Sequence, residues 1–92
     1  MLPTKLLETS NYQLLYSDIG SGTPVVLLHG FGEDSTIWEH QIQFLKAHCR
    51  LLVPDLPCTG NSVLLHTHDL TIEWMADAIY ALLLKERINQ CI

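Results

Sequence analysis

Apolar positions along this chain fall into short blocks whose spacing changes from one block to the next. Residues 5–9 and 12–17 are two brief extended runs separated by Ser10 and Asn11, a turn pair that predicts a β-hairpin. Asp18, Gly20, Ser21, Gly22 and Pro24 then mark a turn-forming loop. Val25, Val26, Leu27 and Leu28 follow without interruption, the pattern of a parallel strand covered on both faces, and His29, Gly30, Phe31 and Gly32 end it sharply. Beyond them Trp38, Ile42 and Leu45 recur at helical spacing, with Ile37 and Phe44 widening the stripe and Asp34 or Ser35 available as the cap. Residues 49–53 predict a second buried strand, stopped by Pro54 and followed by a loop over 55–62. From Thr71 as cap, Ile72, Met75, Ala76, Ile79, Leu82 and Leu83 make the best amphipathic helix in the chain. Ile88, Cys91 and Ile92 read as the start of another strand. Strand, helix, strand, helix and strand in alternation define an α/β fold: an antiparallel hairpin, then a parallel βαβ unit, in a sheet that is incomplete.

Charge and composition narrow the class. The chain has 92 residues, enough for one small domain, with 5 Lys and Arg against 10 Asp and Glu and a net charge of −5. That balance excludes a nucleic-acid partner, which needs a basic face to displace counterions from phosphates. With 48% apolar and 16% charged residues the chain is not a disordered one. Its apolar runs are far shorter than the roughly 18 residues of a membrane span, and the N-terminus lacks the apolar core of a signal peptide, so no membrane is involved and a cytoplasmic location is expected. Cys49, Cys58 and Cys91 are odd in number and lack the close pairing of disulfide scaffolds or zinc ribbons, which points to reduced thiols. A chain of this mass exposes about 15,000 Å² unfolded and about 5,400 Å² as a compact globule. Burial and ordering then nearly balance, so a sheet left open exposes an apolar edge that invites association.

The segment from His29 to Gly32 is the first candidate for chemistry. Ligands of parallel sheets bind beyond the carboxyl ends of the strands, where these residues stand. Two glycines allow close backbone approach, and free N–H groups there can receive a phosphate or a developing oxyanion. The plainer alternative is a tight strand-to-helix turn. One functional pattern is a dinucleotide fingerprint, with Gly30, Gly32 and Ser35 in the glycine positions and Asp55 as the ribose-binding acid. Ser35 in the third position weakens that match, which would make the chain a small nucleotide-binding or non-catalytic interaction module of Rossmann-like type.

A second pattern is more specific. The apolar strand ending in His29, Gly30, Phe31 and Gly32, Trp38 in the next helix, and Asp55, Pro57, Gly60 and Ser62 after the next strand together resemble the N-terminal part of the α/β-hydrolase family. The resemblance spans almost the whole chain and implies that residues 1–92 are a partial α/β-hydrolase domain: strands one to four, the first two helices and the start of the fifth strand. It implies serine-nucleophile attack on carboxylic esters or related small-molecule acyl substrates, with no cofactor and no metal. The backbone N–H of Phe31 would be one donor of the oxyanion hole, with His29, Gly30 and Gly32 shaping the loop. The Gly-x-Ser-x-Gly elbow, the acid and the catalytic histidine all follow later in the family's chain order. None is assignable here, so the chain alone is expected to be inactive and to need the remainder of the hydrolase domain. Gly32, where epoxide- and halide-cleaving relatives usually carry proline, leans toward acyl cleavage.

Cys58 departs from the family pattern by standing where glycine is usual, which would strain a left-handed backbone; it has no evident base to make it a nucleophile. Ser62 belongs to the family's structural loop. His66, His68 and Asp69 could offer metal ligands on an extended segment, although a solvated loop has the same composition. His40 and His48 belong to an exposed polar face. Trp38 either edges the substrate pocket or, as the first member of an apolar stripe, packs in the core.

Overall fold

The computed structural model describes residues 4–10, 12–30, 33–56 and 71–92, together with the backbone of 63–64. Strands β1 (Thr4–Glu8) and β2 (Tyr12–Ile19) form the hairpin around Ser10, pairing antiparallel with Leu6 opposite Leu15. Strand β3 (Pro24–Val26) precedes a 3₁₀ turn (Ser35–Trp38) that runs directly into helix α1 (Glu39–Leu45). Strand β4 (Arg50–Pro54) follows, then a two-residue strand β5 (Val63–Leu64) and the long helix α2 (Ile72–Lys85). The sheet order is β1-β2-β4-β3, with β5 pairing the start of β2. β3 and β4 are parallel, Val25 standing opposite Leu51, while β2 meets β4 antiparallel. The fold is therefore the partial α/β sheet that the pattern predicts, with two helices and an unclosed edge.

Side-chain alternation on β4 divides the interior in two. Leu51 and Val53 face α1, where they pack with Ile42, Trp38, Leu45, Val25 and Leu27. Leu52 faces the other way, into a cluster with Leu14, Tyr16, Ala78 and Leu82. The two helices thus cover opposite faces of one sheet. Thr71 caps α2, its hydroxyl accepting from the Trp74 N–H at 3.0 Å, and Asp34 caps the 3₁₀ turn by accepting from the Thr36 N–H at 2.9 Å. At the far end of α2, Arg87 adopts φ 57° and the Ile88 N–H returns to the Leu83 carbonyl at 2.9 Å, a left-handed closure usually given to glycine.

Four expectations need correction. The first helical stripe is narrower than the spacing predicts: Phe44 is 69% exposed, leaning on the His48 ring, and Ile37 is also exposed. The initial 3₁₀ turn changes the angular advance per residue, so positions before and after Trp38 do not share one face. The β3 ladder stops at Val26, two residues short of the apolar run, although the Leu27 N–H still donates to the Leu52 carbonyl at 3.0 Å. On α2 the buried seam is Ala78 and Leu82 with Trp74 beside them, and Ile72 is 78% exposed. Residues 88–92 form no regular strand, but Ile92 exchanges two hydrogen bonds with β3. The Val26 N–H donates to its carbonyl at 2.8 Å, and its N–H donates to the Pro24 carbonyl at 3.0 Å.

An ion cluster clasps α2 to the sheet. Arg50 on β4 grips Asp18 of β2 bidentately, Nε to Oδ1 at 2.9 Å and Nη2 to Oδ2 at 2.8 Å, and Nη2 also reaches Glu86 Oε1 at 2.8 Å. Lys5 from β1 bonds Asp18 at 2.8 Å, and the Tyr16 hydroxyl donates to Glu86. The Arg50 hydrogen bonds hold the Asp18 carboxyl well below its usual 3.8, at about 2. Burial pushes Glu86 up, but the Tyr16 hydroxyl and Lys5 outweigh it and leave that carboxyl lowered. Burial, reinforced by Glu86, raises the Tyr16 phenol. Depressed carboxyls stabilise the fold above their unfolded values and lose that contribution as the pH falls through the folded ones. Stability is therefore expected to fall between about pH 4 and about pH 2, followed as a drop in melting temperature by circular dichroism; equal melting at both ends would exclude the clasp.

Candidate functional site

The carboxyl ends of β3 and β4 bring His29 and Asp55 into the interior side by side in the fold. His29 is buried. Its Nε2 accepts from the Leu56 N–H at 3.0 Å, so the ring proton belongs on Nδ1, which donates to the Gly30 carbonyl at 2.8 Å. A neutral imidazole with both nitrogens engaged ties the end of β3 to the segment after β4. Asp55 is equally buried and accepts from the Ser35 N–H at 2.8 Å, while its own N–H donates to the Leu15 carbonyl at 2.9 Å. The carboxylate thereby satisfies a free amide at the start of the 3₁₀ turn, where negative charge is favoured.

Gly30 is bound on both of its polar groups. Its N–H donates to Glu33 Oε1 at 3.1 Å, and its carbonyl accepts from the Glu33 N–H at 3.2 Å as well as from His29 Nδ1. Asp34, next along, is held below its ordinary carboxyl value by the Thr36 hydroxyl and amide. Phe31 and Gly32 lie outside the described residues, as do Pro57, Cys58, Gly60, Ser62, His66, His68 and Asp69. Among the described residues no group of three or more His, Cys, Asp or Glu side chains is placed to hold a metal ion.

Trp38 packs on the α1 face with Ile42, Leu51 and Val53, and its indole Nε1 is buried with no partner among the described residues. On the opposite face a groove of about 440 Å³ opens beside His29. Leu28 and Leu56 form one wall; Ile72, Met75, Ile79 and Leu83 of α2 form the other. His29 and Trp38 therefore stand on different sides of the sheet from each other's apolar neighbours. Glu33 was invisible in the pattern of the chain, since a lone exposed glutamate between a glycine turn and a capping aspartate carries no periodic signal. Asp55 and Ser35 were both visible, but the hydrogen bond that pairs them was not.

Residues 25–90 match the alpha/beta hydrolase family, and the chain belongs to that family. It is 43% identical over 60 residues to the pimeloyl-[acyl-carrier protein] methyl ester esterase of Aeromonas salmonicida, covering 65% of this chain and 24% of the relative. It is 31% identical over 84 residues to the (E)-2-((N-methylformamido)methylene)succinate hydrolase of Acinetobacter baylyi, covering 86% of this chain and 32% of that protein. Among solved structures, a thermophilic esterase from Thermogutta terrifontis superposes with a TM-score of 0.80 at 33% identity, over 91% of this chain and 32% of the esterase. The chain thus spans about a quarter to a third of the length of these relatives. Among the described residues no helix is long and apolar enough to cross a membrane.

Proposed function

We propose that this chain supplies the oxyanion-loop portion of a serine hydrolase acting on carboxylic esters or related acyl compounds. The observation that carries this is the Gly30 carbonyl, held by His29 Nδ1 and the Glu33 N–H. A trans peptide sets its C=O and N–H in opposite directions. On this reading the fixed Gly30 carbonyl is what orients the amide that follows it in the chain, that of Phe31. In the reaction a serine oxygen from elsewhere in the hydrolase adds to the acyl carbon, the carbonyl electron pair moves onto oxygen, and the Phe31 N–H donates to the oxyanion. One such donor lowers the barrier by about 2.7–4 kcal/mol. His29 has no free nitrogen for proton transfer in this arrangement; it braces the loop with Gly30 and Gly32. Trp38 supports the loop from the α1 side or edges the acyl pocket.

The esterase and hydrolase relatives support an acyl substrate, and Gly32 in place of proline agrees with it. The nucleophile, acid and catalytic histidine are taken to come from the remainder of the hydrolase domain, the first partner of this chain. Two features favour that partner: the apolar groove along α2, and the β3 edge at which Ile92 is already hydrogen bonded. Net charge argues against nucleic acid, and the free Cys49 and Cys91 suit a reducing cytoplasm. No cofactor is needed for the chemistry. The rival dinucleotide site loses its acid, because Asp55 is turned inward onto Ser35.

Release of p-nitrophenol from short acyl esters tests this directly. The full-length protein is expected to turn over the ester, and residues 1–92 alone to match buffer. Ester turnover by the 92-residue chain that disappears on deleting the Phe31 loop would contradict the assignment.

A further inference from the structure

Gly30 has an ordinary backbone conformation: the glycines with positive φ among the described residues are Gly20 and Gly22. Its φ is outside the left-handed region, so what distinguishes this position is the neighbour an added Cβ would meet. That neighbour is Glu33. A Cβ built on Gly30 would lie 2.8 Å from Glu33 Oε1, inside the contact that real carbons tolerate. The same carboxylate oxygen accepts the Gly30 N–H at 3.1 Å, and the Glu33 N–H closes onto the Gly30 carbonyl at 3.2 Å. One residue therefore engages both polar groups of Gly30, while His29 Nδ1 holds the carbonyl a second time from the buried side at 2.8 Å.

We infer that Glu33 is a positioning residue of the oxyanion loop, clamping Gly30 from the solvent side as His29 does from the interior. This rests on the oxyanion assignment proposed above and adds the residue that sets the loop's geometry. Two consequences of the chemistry separate the clamp from a solvated side chain. The clamp needs an acceptor oxygen and no charge, so glutamine serves as well as glutamate. The charge is unhelpful, because a carboxylate beside an amide meant for an oxyanion repels what that amide should bind. Neutralising it while keeping the acceptor should leave the rate unchanged or raise it.

Amide hydrogen exchange at Gly30, read by NMR on the ¹⁵N-labelled full-length protein, tests the clamp itself. Wild type and Glu33→Gln are expected to exchange slowly and alike, with exchange in Glu33→Ala about tenfold faster, the scale of losing one such hydrogen bond. Gly30→Ala displaces the carboxylate without straining the backbone and should shift the Glu33 side-chain resonances. An unprotected Gly30 in wild type, or unaltered protection in Glu33→Ala, overturns the proposal. The kinetic arm uses the full-length protein with p-nitrophenyl esters. Glu33→Ala should lower kcat about tenfold with KM within about twofold, and Glu33→Gln should restore kcat to wild type or above. Faster Gly30 exchange with kcat unchanged in Glu33→Ala would overturn the positioning role. Full activity in a protein lacking the Phe31 N–H, with the Gly30 exchange pattern intact, would instead refute the oxyanion assignment and leave the clamp standing.

Discussion

Phenyllactate in place of Phe31, in the full-length protein, is expected to lower kcat by about 100- to 1,000-fold with KM within about twofold. The exchange turns one amide into an ester: it deletes a single N–H and keeps the aromatic side chain. A donor that meets charge only as it forms on the acyl oxygen contributes to the transition state and little to the bound ester, which is why kcat carries the loss. The Gly30 carbonyl becomes the carbonyl of that ester and accepts hydrogen bonds from His29 and Glu33 less strongly, a smaller effect in the same direction. Steady-state kinetics with p-nitrophenyl acetate and butyrate measures the change. A loss below about tenfold would mean that this amide does not face the oxyanion.

Gly20→Ala is expected to destabilise the fold by about 3 kcal/mol or more, enough to leave much of a small domain unfolded. Gly20 has φ 83°, and an added Cβ would meet the Cys49 carbonyl oxygen at 2.3 Å and that of Lys46 at 2.7 Å. Both are backbone atoms where α1 gives way to β4, so relief requires moving the chain and not a side chain. Gly22 supplies the control. Its φ is 107°, but the nearest atoms to its Cβ are 3.7 Å and 3.8 Å away, so Gly22→Ala suffers backbone strain without collision. It should cost about 1–2 kcal/mol. Urea denaturation followed by tryptophan fluorescence compares the two, and equal midpoints for both variants would show that the close approach at Gly20 is harmless.

The hairpin, the parallel pair and both caps were legible because each rests on local chemistry. Ser10 beside a two-run pattern, Pro54 after an apolar run, and Asp34 and Thr71 before helical stripes are decided within a few residues. The limits of legibility are physical too. β5 has two residues and no period to read. Helix α2 carries apolar side chains over an arc wide enough for two seams: Trp74, Ala78 and Leu82 meet the sheet, whereas Ile72, Met75, Ile79 and Leu83 meet the groove. One apolar stripe was expected, and hydropathy alone does not say which part of a wide stripe meets the first neighbour. At the site, His29 and Asp55 stood out by their positions at strand ends. The Leu56 and Ser35 amides that engage them come from about 20 to 27 residues away, a pairing that only the folded sheet creates.

Strand β4 is the common wall of two rooms. Leu51 and Val53 furnish one and Leu52 the other, so a slip of a single residue against β3 would send leucine where valine belongs and reverse the occupants of both at once. Neither half of the interior can be repaired independently of the other. The alignment of Val25 with Leu51 is thus a single commitment on which the two helices, and the His29 and Asp55 ends of the strands, jointly depend.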